Sequence, residues 1–187
     1  MDRHWLLTWT TYGTWLPGDR RGFVGRSRDA TGRQAWQNIP GTPARAANEK
    51  LERVARRRMS GRPIWLDRAH AEIAVADFRG TAAVRGWSLL AAAIMRNHVH
   101  LVVGVPGDPD PSILLHAFKS HSSKTLTAAG VRPPGGRWWT RSGSRRVLRD
   151  EAAVVAAIRY VLAQHLPLVT WHPVDLDPAW LEVGPMG

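Results

Sequence analysis

The chain has 187 residues, 44% of them hydrophobic, enough for one domain with a core and too apolar for a disordered chain. It carries 26 Lys and Arg against 15 Asp and Glu, a net charge of +11, and no cysteine. A disulfide framework, a thiolate metal site and a catalytic thiol are therefore excluded, and a polyanion such as nucleic acid becomes the first candidate partner. The charge is uneven. Residues 173–187 hold Asp175, Asp177 and Glu182 and no basic residue. Only Lys50, Lys119 and Lys124 are lysines, and arginine forks suit phosphate contacts and base stacking. A GC-rich codon bias explains the same excess. No apolar run approaches the length of a membrane span, and no amphipathic basic helix suited to a membrane surface is evident. The opening residues lack a signal-peptide core, so the expected location is the cytoplasm.

In chain order, residues 4–12 are rich in Trp, Thr and Leu and read as a strand. Pro17-Gly18-Asp19 breaks it. Residues 20–48 read as a long loop and 43–59 as a short basic helix, with Arg53, Arg56 and Arg57 on one face. Residues 17–64 together look like an insertion. Asp67 is placed to cap a helix running to about Val84. Residues 86–95 and 98–105 read as two strands around the turn-like Arg96-Asn97, a hairpin. Ser112 is the expected cap of a helix to about Ala129. A Gly/Pro/Arg-rich loop around Trp138-Trp139 follows, then a short strand over Arg145–Leu148. Asp150 caps a last helix over 151–165, and the tail from Pro167 reads as irregular. The expected fold is α+β: a ferredoxin-like, RRM-like βαββαβ core with an antiparallel sheet, plus one more helix. Residues 1–168 are expected to form one domain, with 169–187 as a tail.

Two features carry chemistry. In His98-Val99-His100 the strand period of two places both imidazoles on one face, with Val99 and Leu101 on the core face. Two neighbouring imidazoles are a natural pair of metal ligands. On the last helix, Val154, Ala157, Ile158, Val161, Leu162 and His165 form the apolar stripe. Tyr160 and Gln164 lie one turn apart at its edge, able to present a phenol and an amide to one point; the plain alternative leaves both in water. Lys119, His121 and Lys124 share an edge of the preceding helix, either facing a nucleic acid or simply solvated. Trp138, Trp139, Arg141, Arg145 and Arg146 form a basic-aromatic cluster suited to splayed bases, although tryptophan there also suits a core. His4, His70 and His172 are expected at the surface.

Met95-Arg96-Asn97-His98-Val99-His100-Leu101-Val102-Val103 resembles the HUH strand of single-tyrosine transposases, especially the REP-associated tyrosine transposases. Lys119–Leu126, the stretch from Trp138 to Asp150, and Ile158-Arg159-Tyr160-Val161 resemble further parts of that family, and residues 10–19 resemble its first-strand region. The resemblance implies a single-strand DNA endonuclease and strand transferase acting on hairpin-associated DNA as a monomer or homodimer. It implies that His98 and His100 bind Mg²⁺ or Mn²⁺, that Gln164 is the third ligand, and that Tyr160 forms a 5′-phosphotyrosine link. Relatives often continue Tyr-x-x-x-Asn-Pro, whereas Gln164 is followed here by His165 and Pro167 comes later. His165 is the stronger ligand type but falls in the packing stripe. Two alternatives stand beside this reading. A domesticated relative would only bind structured DNA, but the three intact residues favour catalysis. A histidine-triad hydrolase needs a third alternating histidine, and Val102 stands there.

Overall fold

The computed structural model describes residues 2–21, 25–28, 34–37, 47–130 and 136–181. In chain order the elements are β1 (Arg3–Thr10), β2 (Gly25–Arg28), β3 (Gln34–Gln37), α1 (Glu49–Arg57), α2 (Arg68–Val84), β4 (Ser88–Ile94), β5 (His98–Val105), α3 (Pro111–Ala128), β6 (Ser144–Leu148), α4 (Glu151–Leu162), β7 (Val169–Trp171) and α5 (Pro178–Leu181).

The main sheet has the order β6-β1-β5-β4-β7, with every neighbouring pair antiparallel. Among the core strands the fourth thus lies beside the first, and the third lies between the first and second. That interleaving is the plan of a split βαββαβ unit, so the α+β expectation holds. The sheet gains a fifth strand that sequence reading left as irregular tail: β7 pairs with the outer edge of β4 through Ala92–Ile94.

Strand alternation sorts the sheet into two faces. Leu7, Trp9, Val99, Leu101, Val103 and Val105 point to one face, where α2 and α3 contribute Phe78, Leu114, Phe118 and Leu126 to the larger core. The opposite face is covered by α4. There Ala91 and Ala93 of β4 and Val102 of β5 meet Val154, Ala157, Ile158 and Val161. The two small alanines let α4 lie close over the centre of the sheet. This core is smaller and leaves part of the face open beside His98 and His100.

The local signals mostly act where the residues suggest. Asp67 caps α2 by accepting from the His70 amide at 2.9 Å, and Asp150 caps α4 by accepting from the Ala153 amide at 2.8 Å. The start of α3 differs from expectation. Asp110 is its cap, accepting from the Ser112 amide at 2.8 Å, and Pro111 opens the helix where no donor is needed. The end of α4 also differs. The helix stops at Leu162, because Pro167 disfavours a helical residue before it, and Leu166 adopts φ 52°. Within the stretch read as a loop over 20–48, β2 and β3 pair as a short antiparallel hairpin.

Candidate active site

His98 and His100 stand on β5 facing α4, as the alternation requires. Their rings lie 4.9 Å apart between centroids and almost perpendicular, at 89°. His98 is half-buried and His100 is buried. Each ring has its Nδ1 against a protein oxygen. That of His98 lies 2.7 Å from the Asn97 Oδ1, and that of His100 lies 2.9 Å from the Thr8 Oγ1. Thr8 is the residue of β1 directly opposite His100 in the sheet register. With Nδ1–H donated to the Asn97 oxygen, the Nε2 lone pair of His98 is left for another partner. The same holds for His100 when its Nδ1 donates to Thr8.

Burial pushes the imidazolium form of His100 down to about 4, and the neighbouring His98 adds to the shift. His98 is lowered by burial first and by the Arg21 charge second. The His100 ring is therefore neutral at neutral pH, and His98 is biased the same way. That is the state a metal ligand needs.

Tyr160 comes from α4 over the open part of the same face. Its ring meets His100 edge to face, with centroids 5.5 Å apart at 84°. It is 51% exposed, so a ligand can reach the phenol. Gln164 follows one turn later, past the helix end, and its Nε2 donates to the Tyr160 carbonyl at 2.9 Å. The amide thereby satisfies one of the last carbonyls of α4. Leu6, Thr8, Thr10, Trp15, Ser144, Arg146 and Leu148 complete a cavity of about 700 Å³ around His98, His100, Tyr160 and Gln164.

The other expected site residues divide. Arg146 points into this cavity from β6. Its neighbour Arg145 points the other way, into a groove of about 790 Å³ between α3 and residues 136–145 that also holds Lys119 and Arg141. Lys119 is not free to meet a ligand there. Its ammonium donates to the carbonyl of Thr140, and to those of Arg141 and Ser142 at 3.1 Å each. Burial lowers its pKa to about 8. His121 and Lys124 are exposed on α3 and line neither cavity.

Trp138 and Trp139 are core residues, 3% and 5% exposed, with their indole N–H groups donated to Thr127 and Ser122. His165, placed by sequence reading in the packing stripe, lies beyond the end of α4 and is exposed. His70 is not at the surface either. It is partly buried, its ring packs 5.4 Å from that of Trp138, and its Nδ1 sits 2.6 Å from Asp67. Tyr12, the second tyrosine, meets the Ser60 amide at 2.8 Å and its hydroxyl at 3.1 Å. Thr8, Asn97, Trp15 and Arg21 were not singled out in the sequence. Only Asn97, adjacent to His98 in a turn, carried a local signal.

Among the described residues, no group of three or more His, Cys, Asp or Glu could hold a metal ion. A metal here would rest on two imidazoles and an amide, with its other positions open. The donor set fits that use, since both Nδ1 atoms are engaged by the protein and both Nε2 atoms remain.

Residues 59–143, just under half of the chain, match the family described as "Transposase IS200 like". The matched segment carries His98 and His100 and ends before Tyr160. No curated protein sequence matches the chain. Among solved structures, the chain is similar to a REP-associated tyrosine transposase bound to a REP hairpin, at 12% identity and TM-score 0.45, over 85% of this chain and 64% of that one. It thus spans less than two thirds of that protein. It is also similar to a candidate transposase from Deinococcus radiodurans R1, at 17% identity and TM-score 0.45, over 88% and 92% of the two chains. The family match supports the resemblance to transposases. No helix among the described residues is long and apolar enough to cross a membrane.

Proposed function

With the match to IS200-like transposases as premise, we propose that the chain is a single-strand DNA endonuclease and strand transferase that cuts through Tyr160. The observation that carries the reading is the Tyr160 ring packed against His100 within one chain, over two imidazoles whose outer nitrogens are left for a ligand.

His98, His100 and Gln164 would hold Mg²⁺ or Mn²⁺. Such an ion, when bound, neutralises charge on a scissile phosphate and polarises its oxygens. The chain's own residues do the rest. Thr8 and Asn97 orient the two rings. The Tyr160 Oη attacks the phosphorus, and its proton leaves. The bond from phosphorus to the 3′-oxygen breaks, and that oxygen takes up a proton as a free 3′-OH. A 5′-phosphotyrosine link remains. Attack by a 3′-OH of another strand reverses the step and restores the phenol, so strands are exchanged without a further energy source. A phenol ordinarily titrates near 10 and is a weak nucleophile at neutral pH, so it depends on such an electrostatic setting.

Because Tyr160 and the histidine pair meet within one chain, the reading is cleavage in cis, and a monomer suffices for the site. Arg146, inside the cavity, is the proposed phosphate contact. His121 and Lys124 are left as a solvated edge available to a flanking duplex. Lys119, Arg141 and Arg145 belong to the other groove, where Lys119 holds a loop. The proposed domain is the βαββαβ unit with α4, with residues 17–64 inserted in it.

The test is covalent trapping on denaturing gels with hairpin oligonucleotides carrying single-stranded tails. The wild type with Mg²⁺ or Mn²⁺ should form an adduct that chelation prevents and Tyr160→Phe cannot make. Tail-dependent DNA binding with no adduct under any metal would favour the domesticated, binding-only reading.

A further inference from the structure

The cavity around the histidine pair does not end at Tyr160. It runs on across β1 to β6. The strand registers lay out its floor. On the face toward α4, Ser144, Thr8 and His100 form one row across three strands, and Arg146, Leu6 and Val102 form the next. α4 packs on Val102, whereas Ser144 and Arg146, at the outer end of the two rows, are exposed. β6 is the edge strand of the sheet, so the cavity opens to solvent on that side.

The two ends differ in chemistry. At the inner end stand two imidazoles, a phenol and an amide. At the outer end Leu6 and Leu148 supply an apolar floor, and Ala153 and Ala156 of α4 supply an apolar wall. The two alanines are three residues apart and share the helix edge that lines the cavity. Leucine suits a helix nearly as well as alanine, so helix propensity does not dictate these short side chains. Their effect is to leave the space between α4 and β6 open. The floor hydroxyls already have partners: Thr8 meets the His100 Nδ1, and Thr10 donates to Thr140. Arg146 is different. Among the described residues its guanidinium has no hydrogen bond, ion pair or ring contact. From the spacing of strands and of residues along them, its Cα stands about 12 Å from that of His100. The phosphate it reaches is therefore a neighbour of the one at Tyr160.

A base in a single strand has lost its stacking partner and gains from apolar cover, while its phosphate gains from a cation. We propose that the β1–β6 end of the cavity receives the base of a nucleotide next to the scissile phosphate, laid on Leu6 and Leu148 against Ala153 and Ala156, with the phosphate of that nucleotide on Arg146. The subsite deepens the cleavage reading above and rests on it. Its walls carry no hydrogen-bonding group, and the Ser144 hydroxyl at its mouth both donates and accepts. The recess therefore holds any base and discriminates little among the four.

The experiment uses the full chain carrying Tyr160→Phe, so that DNA is bound but not cut, with Mn²⁺ present. The probes are a blunt hairpin and the same hairpin with a single-stranded tail, intact or with one base removed at successive positions while sugar and phosphate remain. Base removal should weaken binding by about 5- to 150-fold at one tail position or two adjacent ones. Exchanging that base for another should change affinity only a few-fold. Ala153→Leu and Ala156→Leu fill the recess. Each should weaken the intact tailed hairpin by a similar factor and leave no further loss when the base is removed. Neither should lower affinity for the blunt hairpin, the melting temperature or Mn²⁺ binding. Ala156 is exposed, so its leucine variant keeps the test in hand if Ala153→Leu destabilises the chain. A loss at no position, a loss spread evenly along the tail, or a loss that persists undiminished in a stably folded leucine variant would overturn the subsite. Position-specific loss that the leucine variants abolish, with no tyrosine adduct from the Tyr160 form, would overturn the cleavage reading and leave the subsite standing.

Discussion

The two cavities on either side of β6 have nearly the same size, about 700 and 790 Å³, and both receive an arginine from that strand. They differ in what their polar groups are doing. In the groove beside α3, the Lys119 ammonium is spent on three backbone carbonyls and fixes the loop at 140–142. In the cavity under α4, the two imidazoles are tied down at one nitrogen each and leave the other. Volume and positive charge therefore do not tell the two cavities apart. The freedom of specific atoms does.

Substitutions can break or sharpen that contrast. The largest effect is expected from His98→Ala or His100→Ala, which should cut cleavage by about 10³-fold or more and abolish Mn²⁺ binding, measured by calorimetry and adduct yield. DNA affinity should stay within a few-fold, because phosphate contacts come from arginine and lysine. Next is Thr8→Val. It leaves His100 in place but removes its Nδ1 partner, and should lower metal affinity roughly 10- to 100-fold. A smaller effect should separate neighbours on one strand. Arg146→Gln should weaken single-strand binding several-fold and lower the slope of log K against log salt by about 1, whereas Arg145→Gln should do neither.

The smallest effect concerns Lys119. Lys119→Met should leave cleavage within a few-fold and lower the melting temperature through three unmet carbonyls. The pH dependence has a definite sign. Folding lowers the Lys119 pKa to about 8 from 10.5, so above pH 8 the unfolded chain binds the extra proton. The wild type should therefore gain stability relative to Lys119→Met as pH rises from about 8 to about 10.5. A flat difference across that window would show that the three carbonyls hold the ammonium against burial.

The parts legible in the sequence were those set by short-range periodicity. The His98-Val99-His100 alternation lies in a long apolar strand, so both facing and strand bounds followed from the period of two. The caps at Asp67 and Asp150 followed from residue type and position. What escaped depends on partners distant in the chain. β7 has three residues, too few for a pattern of its own, and exists through its pairing with β4. Thr8 becomes a partner of His100 only once the β1–β5 register is set, across 92 residues of chain. Lys119 looked like a surface cation, because the loop that folds onto it lies 21–23 residues away. His165 was misplaced because the stripe was continued past Leu162, where the helix stops ahead of the non-helical Leu166 and of Pro167.

The most direct test of the central claim is mass spectrometry of the protease-digested covalent adduct formed on a tailed hairpin with Mn²⁺. The chain has two tyrosines, and Tyr12 is engaged with Ser60. A 5′-phosphonucleotide carried on the peptide containing Tyr160, absent after chelation, is the predicted result. An adduct on Tyr12, or cleavage that proceeds with no protein-linked nucleotide, would contradict it.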